Sequence, residues 1–380
     1  MCSVVAAVCM ASLAAVGYDS APKVQARAEI LWTKSICIET NRYIGWPTVC
    51  RRSSGELVAV FSGDRDRHVC PWGKVQMVRS ADGGESWSAP TTIVNSVADD
   101  RDSGIMELED GTLVIKWFTS TAWMGKEWTD RLVRRKEFVA LDLYRRHFEK
   151  IGKDSLQRDV GSFTARSTDG GQTWEPRVRT VGSAPHGGIR LKDGRLLLVG
   201  RRNGGRQVEL TVEESTDGAR SWRSISRIEV PDGEDIFRFC EPHPCECPDG
   251  SLIVAFRHTV EPNEIRLSRS NDGGHTWTRA EKTGVFGLPP HLLLLDDGRI
   301  VMTYCKRTKD IYGEYAVVSE DCGRTWDVSH EILLAPHFNA DLGYPSTVAI
   351  GGGELLTVYY QARVKGENPC LMATKWRITK

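Results

Sequence analysis

The sequence has no excess of charge of either sign, because its 380 residues contain 50 Lys plus Arg and 50 Asp plus Glu. A balanced chain has no global electrostatic field to draw it to nucleic acid or to an anionic membrane surface. A Gly-rich phosphate loop, a His-Glu-x-x-His pattern and a calcium-binding loop are also missing. We therefore expect no nucleic-acid partner and no cofactor.

Cysteine is present but lacks the paired spacing of a metal site. The 11 cysteines are scattered, and Cys240, Cys245 and Cys247 do not form the Cys-x-x-Cys pairs typical of zinc ligands. Small buried hydrophobic side chains on strands are the simpler interpretation. The sequence therefore predicts no metal site.

Long hydrophobic runs are missing apart from one at residues 3–16. That run is too short to cross a bilayer but suits an export signal, although no Lys or Arg precedes it. We predict a signal peptide or disordered N-terminus over 1–26 and one domain over 27–380. The expected location is secreted or periplasmic, or cytoplasmic if the run is not a signal.

An eight-residue pattern is repeated five times in the chain. Each copy has a Ser and an Asp whose side chains can bond the local backbone, a Gly suited to positive φ, and a Trp that can be buried beneath the turn. The copies are 80–87, 167–174, 215–222, 270–277 and 319–326. Three of the four intervals are close to the roughly 40–50 residues of a four-stranded propeller blade. The pattern predicts a repeat architecture.

Hairpin turns give a second count of the blades. Apolar runs flank turns at 54–55, 110–111, 193–194, 249–250, 297–298 and 352–353. The strand at 29–38 is predicted to pair with 371–378 and close the ring, which removes open sheet edges. We therefore predict an all-β fold, a six-bladed β-propeller of four-stranded antiparallel blades.

Residues 121–160 account for the long first interval between copies. Their apolar residues recur at roughly helical spacing, at Trp128, Leu132, Phe138, Leu141, Tyr144 and Phe148. This pattern predicts an amphipathic helical insertion in blade two. Its charges are typical of a solvated face, and its place between the second and third strands also suits a lid over a site.

Propeller geometry indicates which residues share one mouth of the central channel. The residues that open each innermost strand and those that end the next strand face the same mouth. Aligned on the turn Gly, the opening positions are Trp46, Asp102, Pro185, Glu241, Pro289 and Tyr344, with His186, His243 and His291 nearby. The second strands end near Asp64, Arg201, Arg202, Arg257 and Arg307. Charged and imidazole groups at one level predict a binding site.

The repeated pattern resembles the Asp-box, or bacterial neuraminidase repeat, of the sialidase superfamily. The stretch from Cys240 to Arg257 looks like the blade-four segment of that family, and Leu342-Gly-Tyr344-Pro looks like its nucleophile segment. By this resemblance Tyr344 is the nucleophile, Glu241 its base and Arg257 part of an arginine clamp for the substrate carboxylate. A Tyr, with a pKa near 10, needs such a base, and sialidases are the glycosidases that use a Tyr nucleophile.

The same resemblance places the acid/base residue in the blade-one loop. Asp66 is the first candidate there, Asp64 the second and His68 an alternative. Trp46 stands where the first clamp arginine is expected, and the segment 312–316 has no arginine for the third. The remaining candidate substrate-binding residues are Arg201, Arg202, Arg307, Asp102, His186, His243 and His291.

The resemblance implies a retaining exo-glycosidase that releases a terminal acidic sugar, sialic acid or similar, from glycoconjugates. Two alternatives remain open. One is a non-catalytic carbohydrate-binding propeller. The other is a hydrolase or lyase that acts on uronide-containing glycans through His186 or His243. In each case we expect a carbohydrate ligand and a monomeric protein.

Overall fold

The chain folds into six four-stranded antiparallel sheets arranged as the blades of a propeller. The computed structural model describes residues 28–204 and 207–379, so the predicted export signal over 1–26 lies outside the described residues. The six blades and their four-stranded composition confirm the predicted fold class.

The strands follow the chain blade by blade. The first strand, β1 (Ala28–Cys37), pairs with the last strand of the chain. Blade one contains β2 (Tyr43–Arg51), β3 (Leu57–Arg65), β4 (Lys74–Ser80) and β5 (Thr91–Val94). Blade two contains β6 (Asp99–Glu107), β7 (Leu113–Ser120), β8 (Gly161–Ser167) and β9 (Val178–Thr180). Blade three contains β10 (Ile189–Arg190), β11 (Leu196–Gly204), β12 (Gln207–Ser215) and β13 (Arg223–Ile228).

The second half of the ring has the same order. Blade four contains β14 (Phe239–Glu246), β15 (Leu252–His258), β16 (Glu264–Ser270) and β17 (Glu281–Phe286). Blade five contains β18 (Leu288–Leu294), β19 (Ile300–Thr308), β20 (Ile311–Ser319) and β21 (Ile332–Pro336). Blade six contains β22 (Leu342–Gly351), β23 (Glu354–Gln361), β24 (Cys370–Ile378) and β1. The register of β1 on β24, from Ala28 opposite Ile378, confirms the predicted closure.

The five repeated turns connect the third and fourth strands of blades one to five. In the first copy, Ser80 donates to Asp82 at 2.8 Å and accepts from the Gly84 backbone N–H at 2.9 Å. Asp82 also accepts from the Ser86 hydroxyl, and Trp87 donates to the Gly84 carbonyl at 3.0 Å. Gly84 has φ of 90°, which an L side chain adopts only under strain. These contacts explain the sequence pattern as a structural turn.

The apolar core lies mainly between neighbouring blades. Ile115 and Trp117 of blade two belong to one cluster with Met77 of blade one, and Leu197 and Val254 belong to the cluster between blades three and four. Corresponding clusters separate the other pairs of blades. Each sheet therefore buries both faces, and the ring holds the channel-lining ends of its inner strands in place.

Three α-helices lie between β7 and β8. They are α1 (Lys126–Arg134), α2 (Phe138–Lys150) and α3 (Lys153–Asp159), and a short 3₁₀ helix (Ala122–Met124) precedes them. Leu132, Leu141 and Tyr144 of α1 and α2 form a small core with Val69 and Cys70 of the blade-one loop. The helices therefore pack at the end of the ring where the inner strands begin. Across the described ranges, no helix has both the length and the apolar character to span a membrane.

Candidate active site

Four of the six predicted opening positions share an unusual backbone conformation. Trp46, Asp102, Glu241 and Tyr344 have φ of 55°, 49°, 50° and 56°. In each case the pairing of the inner strand with its neighbour shifts register at this point. Such bulges re-aim side chains, and a left-handed non-Gly residue costs of order 1–3 kcal/mol, so the surrounding structure must hold it. The other two positions are proline, which cannot adopt positive φ.

The bulges bring Tyr344 and Glu241 together across the channel. The Tyr344 hydroxyl donates to Glu241 Oε1. Arg257 Nη1 donates to both oxygens of the same carboxylate, at 3.0 and 2.9 Å. The three residues come from blades six and four, which are separated by one blade in the ring. The arrangement is a buried phenol with a carboxylate in position to take its proton.

Burial sets the charge states in this cluster. The pKa of Tyr344 is raised well above its usual value by burial and by the Glu241 charge, so the phenol is neutral at physiological pH. Burial disfavours the charge of Arg257, but Glu241 and Tyr344 hold its pKa above the usual value. A neutral phenol becomes a nucleophile only if a base removes its proton as it reacts.

A second arginine lies against Tyr344. The Arg307 guanidinium is 5.6 Å from the centre of the Tyr344 ring, and it also donates to the Leu342 carbonyl. Burial disfavours its charge, but Cys305, Tyr360 and Tyr344 raise its pKa well above the usual value. Two permanent cations therefore flank the candidate nucleophile.

Trp46 occupies the position where the resemblance expects an arginine, and its ring contacts the guanidinium of Arg101. The Arg101 guanidinium lies 4.7 Å from the centre of the buried Trp46 ring, and the Trp46 ring centre is 6.4 Å from that of Tyr344. A cation over a Trp face is stabilised by about 0.5–2 kcal/mol. Arg101 also forms an ion pair of 3.3 Å with Asp102. Arg101 of blade two thus shares the Trp46 ring with Arg65 of blade one, whose guanidinium is 5.1 Å from the same ring centre.

Asp102 is a second buried carboxyl close to the pair. Burial raises its pKa, Arg101 lowers it, and the nearby Glu241 charge raises it again. Its backbone N–H donates to the Ser62 hydroxyl at 2.9 Å. The net upward pKa shift means that Asp102 carries a proton more readily than an ordinary carboxyl.

The blade-one loop places the two acid candidates in different surroundings. Asp64 forms ion pairs with Lys74 and with Arg42, the latter at 2.7 Å, and these hold its pKa below the usual value although burial opposes them. Asp66 accepts from Arg42 at 2.6 Å and from Trp72. Asp66, unlike Asp64, lines a cavity of about 340 Å³ beside the cluster.

His68 lines the same cavity. Its Nδ1 is 3.1 Å from the Tyr43 hydroxyl, and its ring meets that of Trp46 edge-on at 4.8 Å. Burial and the Arg101 charge lower its pKa well below the usual value, so the ring is neutral. Tyr43 donates to Asp341 at 2.7 Å. His68 therefore lies in the wall between Trp46 and the cavity.

The predicted position of the three histidines at the rim is corrected by the structure. His186, His243 and His291 form a buried cluster inside the channel, with ring centres 4.2–5.6 Å apart; His243 and His291 are stacked, and His186 meets both edge-on. They line a cavity of about 700 Å³ that includes hairpin-turn residues from the opposite end of the ring. Burial lowers all three pKa values, that of His243 to about 3. Only His186 approaches Tyr344, with ring centres 6.3 Å apart.

Arg201 and Arg202, the two consecutive arginines of blade three, lie in different surroundings. Burial raises the pKa of the Cys240 thiol, next to Glu241, and the Arg201 charge partly offsets that rise. The Arg202 side chain is 54% exposed and pairs with Glu209 at 3.3 Å. Side chains alternate across a strand, so the two arginines point to different sides of β11. The structure therefore leaves Arg202 outside the cluster.

One group of metal-type ligand atoms occurs in the described part of the chain, at Cys247, Asp249 and Cys322. It lies near the hairpin turn of blade four, at the other end of β14 from Glu241. Arg269 donates to the Cys322 carbonyl at 2.7 Å, and Arg324 is 3.9 Å from Asp249. These two cations disfavour a metal ion there.

Comparison with known proteins identifies the family of this chain. Residues 146–357, more than half of the chain, match the family model described as a BNR repeat-like domain. The chain belongs to this family, within the sialidase superfamily of propellers. A sialidase from Bacteroides fragilis is 22% identical over 349 residues, which is 84% of this chain and 60% of that protein. A xyloglucanase from a Paenibacillus species is 33% identical over 127 residues, 32% of this chain and only 12% of that protein. The chain thus spans less than two thirds of these curated relatives.

Solved structures of other proteins have the same fold as this chain. A protein of unknown function from Dyadobacter fermentans superimposes with a TM-score of 0.75 at 22% identity, over 93% of this chain and 99% of that one. The NanB sialidase of Streptococcus pneumoniae gives 0.64 at 13% identity, over 92% of this chain and 70% of that one. The intramolecular trans-sialidase of Ruminococcus gnavus superimposes with a TM-score of 0.59 at 14% identity, over 88% of this chain and 94% of that one.

Some residues of the site were not anticipated from the sequence. Arg101 directly precedes the predicted Asp102, but nothing in the sequence indicates that its guanidinium lies over Trp46. Tyr43 and Trp128 also contribute to the neighbouring cavity. Trp128 was interpreted only as part of an apolar helical stripe.

Proposed function

We propose that this BNR repeat-like propeller is a retaining exo-glycosidase that releases a terminal acidic sugar from a glycoconjugate. The observation that carries the proposal is the hydrogen bond from the buried Tyr344 hydroxyl to Glu241, which Arg257 holds by two further hydrogen bonds. The superfamily includes sialidases, which favours sialic acid or a related sugar as the substrate.

The first step transfers the sugar to the protein. The Tyr344 oxygen attacks the anomeric carbon while Glu241 takes the phenol proton, and the bond to the leaving oxygen breaks as an acid protonates that oxygen. In the second step the acid residue, now a base, removes a proton from water. The water oxygen displaces Tyr344, which regains its proton from Glu241. A phenol suits this reaction because it is neutral when it approaches an anomeric carbon that bears a carboxylate.

Arg257 and Arg307 hold the acidic group of the sugar. Both are cationic and flank Tyr344, and planar guanidinium groups bind carboxylates through two parallel hydrogen bonds. Arg101, supported on the Trp46 face, supplies a third positive charge beside them. The cluster therefore favours an anionic sugar even though the expected blade-one arginine is absent.

We assign the acid role to Asp66 and a sugar-binding role to Asp102. Asp66 lines the cavity outside the Tyr344 cluster, where a leaving group would lie, whereas Asp102 is buried beside Glu241. Asp64 is bound by Lys74 and Arg42 and keeps a lowered pKa, which is unsuitable for an acid.

A panel of nitrophenyl glycosides tests the function. The purified protein should hydrolyse the α-sialoside or a uronide and leave neutral hexosides intact, because only the acidic sugars engage the arginines. If no glycoside of the panel is hydrolysed but calorimetry shows binding of free sialic or glucuronic acid, the non-catalytic propeller is favoured. Turnover that persists in Tyr344→Phe but stops in His186→Ala would favour histidine chemistry instead.

The acid assignment predicts a dependence on the leaving group. Asp66→Asn should lower kcat/KM about 10²-fold or more for a methyl or sugar leaving group, yet only a few-fold for nitrophenol, which departs without a proton. Asp102→Asn should lower kcat/KM to a similar extent for both kinds of leaving group, because Asp102 is proposed to contact the acidic sugar, which is the same in both substrates. If Asp66→Asn lowered kcat/KM equally for both leaving groups, and Asp102→Asn lowered it mainly for the methyl or sugar leaving group, Asp102 would be the acid and Asp66 the sugar-binding residue.

A further inference from the structure

A fully buried ion pair joins the blade-one loop that carries Asp66 to Asp99, the first residue of β6 in blade two. Arg65 Nη1 lies 2.6 Å from Asp99 Oδ1, and Nη2 donates to Asp99 Oδ2 at 2.9 Å. Both side chains are 0% exposed. Burial disfavours the charge of Arg65, but Asp99 raises its pKa above the usual value, so the guanidinium stays charged. The two blades are therefore connected by an ion pair that solvent does not reach.

The other contacts of Arg65 close the loop around Asp66. Arg65 Nε donates to the Arg67 carbonyl at 3.3 Å, and Nη2 also donates to the His68 carbonyl at 3.1 Å. The His68 carbonyl accepts from Arg101 as well, at 3.5 Å. Residues 66–73 lie outside the strands. These contacts, rather than strand pairing, therefore hold the main chain on both sides of Asp66.

The far end of the loop packs against the same ion pair. The Asp100 backbone N–H donates to the Gly73 carbonyl at 3.0 Å. A Cβ at Gly73 would lie 2.1 Å from Arg65 Nη1 and 2.2 Å from Asp99 Oδ1, which is shorter than real Cβ contacts. Glycine is required where a backbone approaches other atoms so closely. The loop is thus held near both of its ends by Arg65 and Asp99.

Stability alone does not explain this ion pair. The desolvation of two buried charges can exceed their mutual attraction, and apolar side chains of similar volume often stabilise a buried position as well or better. A hydrogen-bonded ion pair differs from an apolar contact because it fixes direction as well as distance. The proposed acid Asp66 needs a fixed direction, since a general acid must lie within hydrogen-bond reach of the leaving oxygen. A displacement of about 1 Å can lower a rate by about 10²-fold.

We propose that Asp99 and Arg65 are positioning residues that hold Asp66 in place for proton donation. The proposal rests on the proposed glycosidase function, with Asp66 as its acid. Neither residue takes part in the proton transfer. Asp99 fixes the Arg65 guanidinium, and the guanidinium fixes the two carbonyls that follow Asp66 in the loop. Blade two thereby orients the acid of blade one.

A ratio of two rates tests this role. For each variant, kcat/KM on the nitrophenyl glycoside is divided by kcat/KM on the methyl glycoside of the same acidic sugar, so that effects on the binding of that sugar cancel. The ratio should rise about tenfold in Asp99→Asn, because a displaced acid slows only the leaving group that needs a proton. In an Asp66→Asn background the same change should raise the ratio no further, since the acid is already absent. An unchanged ratio in Asp99→Asn, or a full further rise in the double variant, would overturn the proposal.

Two further variants separate positioning from loss of stability. Arg65→Lys keeps a positive charge beside Asp99 but lacks the planar group that reaches both carbonyls, so it should also raise the ratio, and it carries the test if Asp99→Asn does not fold. Glu214→Gln is the control, because Glu214 is 1% exposed and pairs with Arg195 at 2.7 Å and with Arg223, beside the hairpin turn of blade three. It should lower the unfolding temperature and leave the ratio unchanged. A similar rise in Glu214→Gln would show that general destabilisation is the cause, and the positioning role would be rejected.

Hydrogen exchange distinguishes failure of this proposal from failure of the glycosidase function. The amides of residues 66–73 should exchange about tenfold faster or more in Asp99→Asn than in the wild type, and at the wild-type rate in Glu214→Gln. Unchanged exchange in Asp99→Asn would contradict the proposal even in an active enzyme, and the glycosidase function would stand. Faster exchange in a protein that hydrolyses no glycoside would reject the function and the acid role of Asp66, and would leave the ion pair as the contact that orders this loop.

Discussion

Tyr344→Phe is expected to abolish turnover of the aryl glycoside, with a loss in kcat of about 10⁴-fold or more, as for other enzymes that lose their nucleophile. The substitution removes only the oxygen that forms the bond to the sugar. Phe retains the ring against which Arg307 lies. Binding of the free acidic sugar should therefore survive, which calorimetry would show.

A matched control for this variant comes from the neighbouring strand. Tyr359→Phe also removes a buried hydroxyl in blade six, one that is 2.9 Å from the Thr374 hydroxyl. It should keep its activity. Retained turnover in Tyr344→Phe, with thermal unfolding like that of the wild type, would exclude Tyr344 as the nucleophile.

Glu241→Gln is expected to lower kcat by about 10²–10⁴-fold, the usual contribution of a general base. The amide oxygen still accepts a hydrogen bond from Tyr344, but it cannot take the proton as the phenol attacks. Arg257 also loses its ion pair, so a modest decrease in the unfolding temperature should accompany the loss of activity.

Glu246→Gln is the control on the same strand. Glu246 lies at the other end of β14, where it accepts from the Lys192 backbone N–H at 2.7 Å. It should leave kcat unchanged. If Glu241→Gln keeps full activity, the Tyr344–Glu241 pair is a structural contact and the mechanism proposed here is wrong.

The sequence pattern predicted the fold well because the fold is local and repetitive. Each hairpin turn and each repeated turn is determined by a few adjacent residues, such as Ser80, Asp82 and Gly84, so the blades could be counted without knowledge of long-range contacts. Pairing of β1 with β24 also followed, since a ring of blades must close.

Alignment on the turn glycines located residues along each strand but not their depth or direction. His243 and His291 stand two residues beyond the opening positions, and two residues of strand advance about 7 Å. This places them inside the channel instead of at its rim. Arg202 points away from Arg201 because successive side chains of a strand lie on opposite sides. The Arg101–Trp46 contact joins two blades, and no local pattern in the sequence encodes such a contact.

Trapping of the glycosyl–protein intermediate tests the central claim most directly. A fluorinated glycosyl fluoride of whichever acidic sugar the panel identifies should slow breakdown of the intermediate more than its formation. Peptide mass spectrometry should then find the added sugar on Tyr344 of the wild type and no adduct in Tyr344→Phe. An adduct on Glu241, Asp66 or Asp102, or continued turnover with no covalent adduct, would contradict a mechanism in which Tyr344 is the nucleophile.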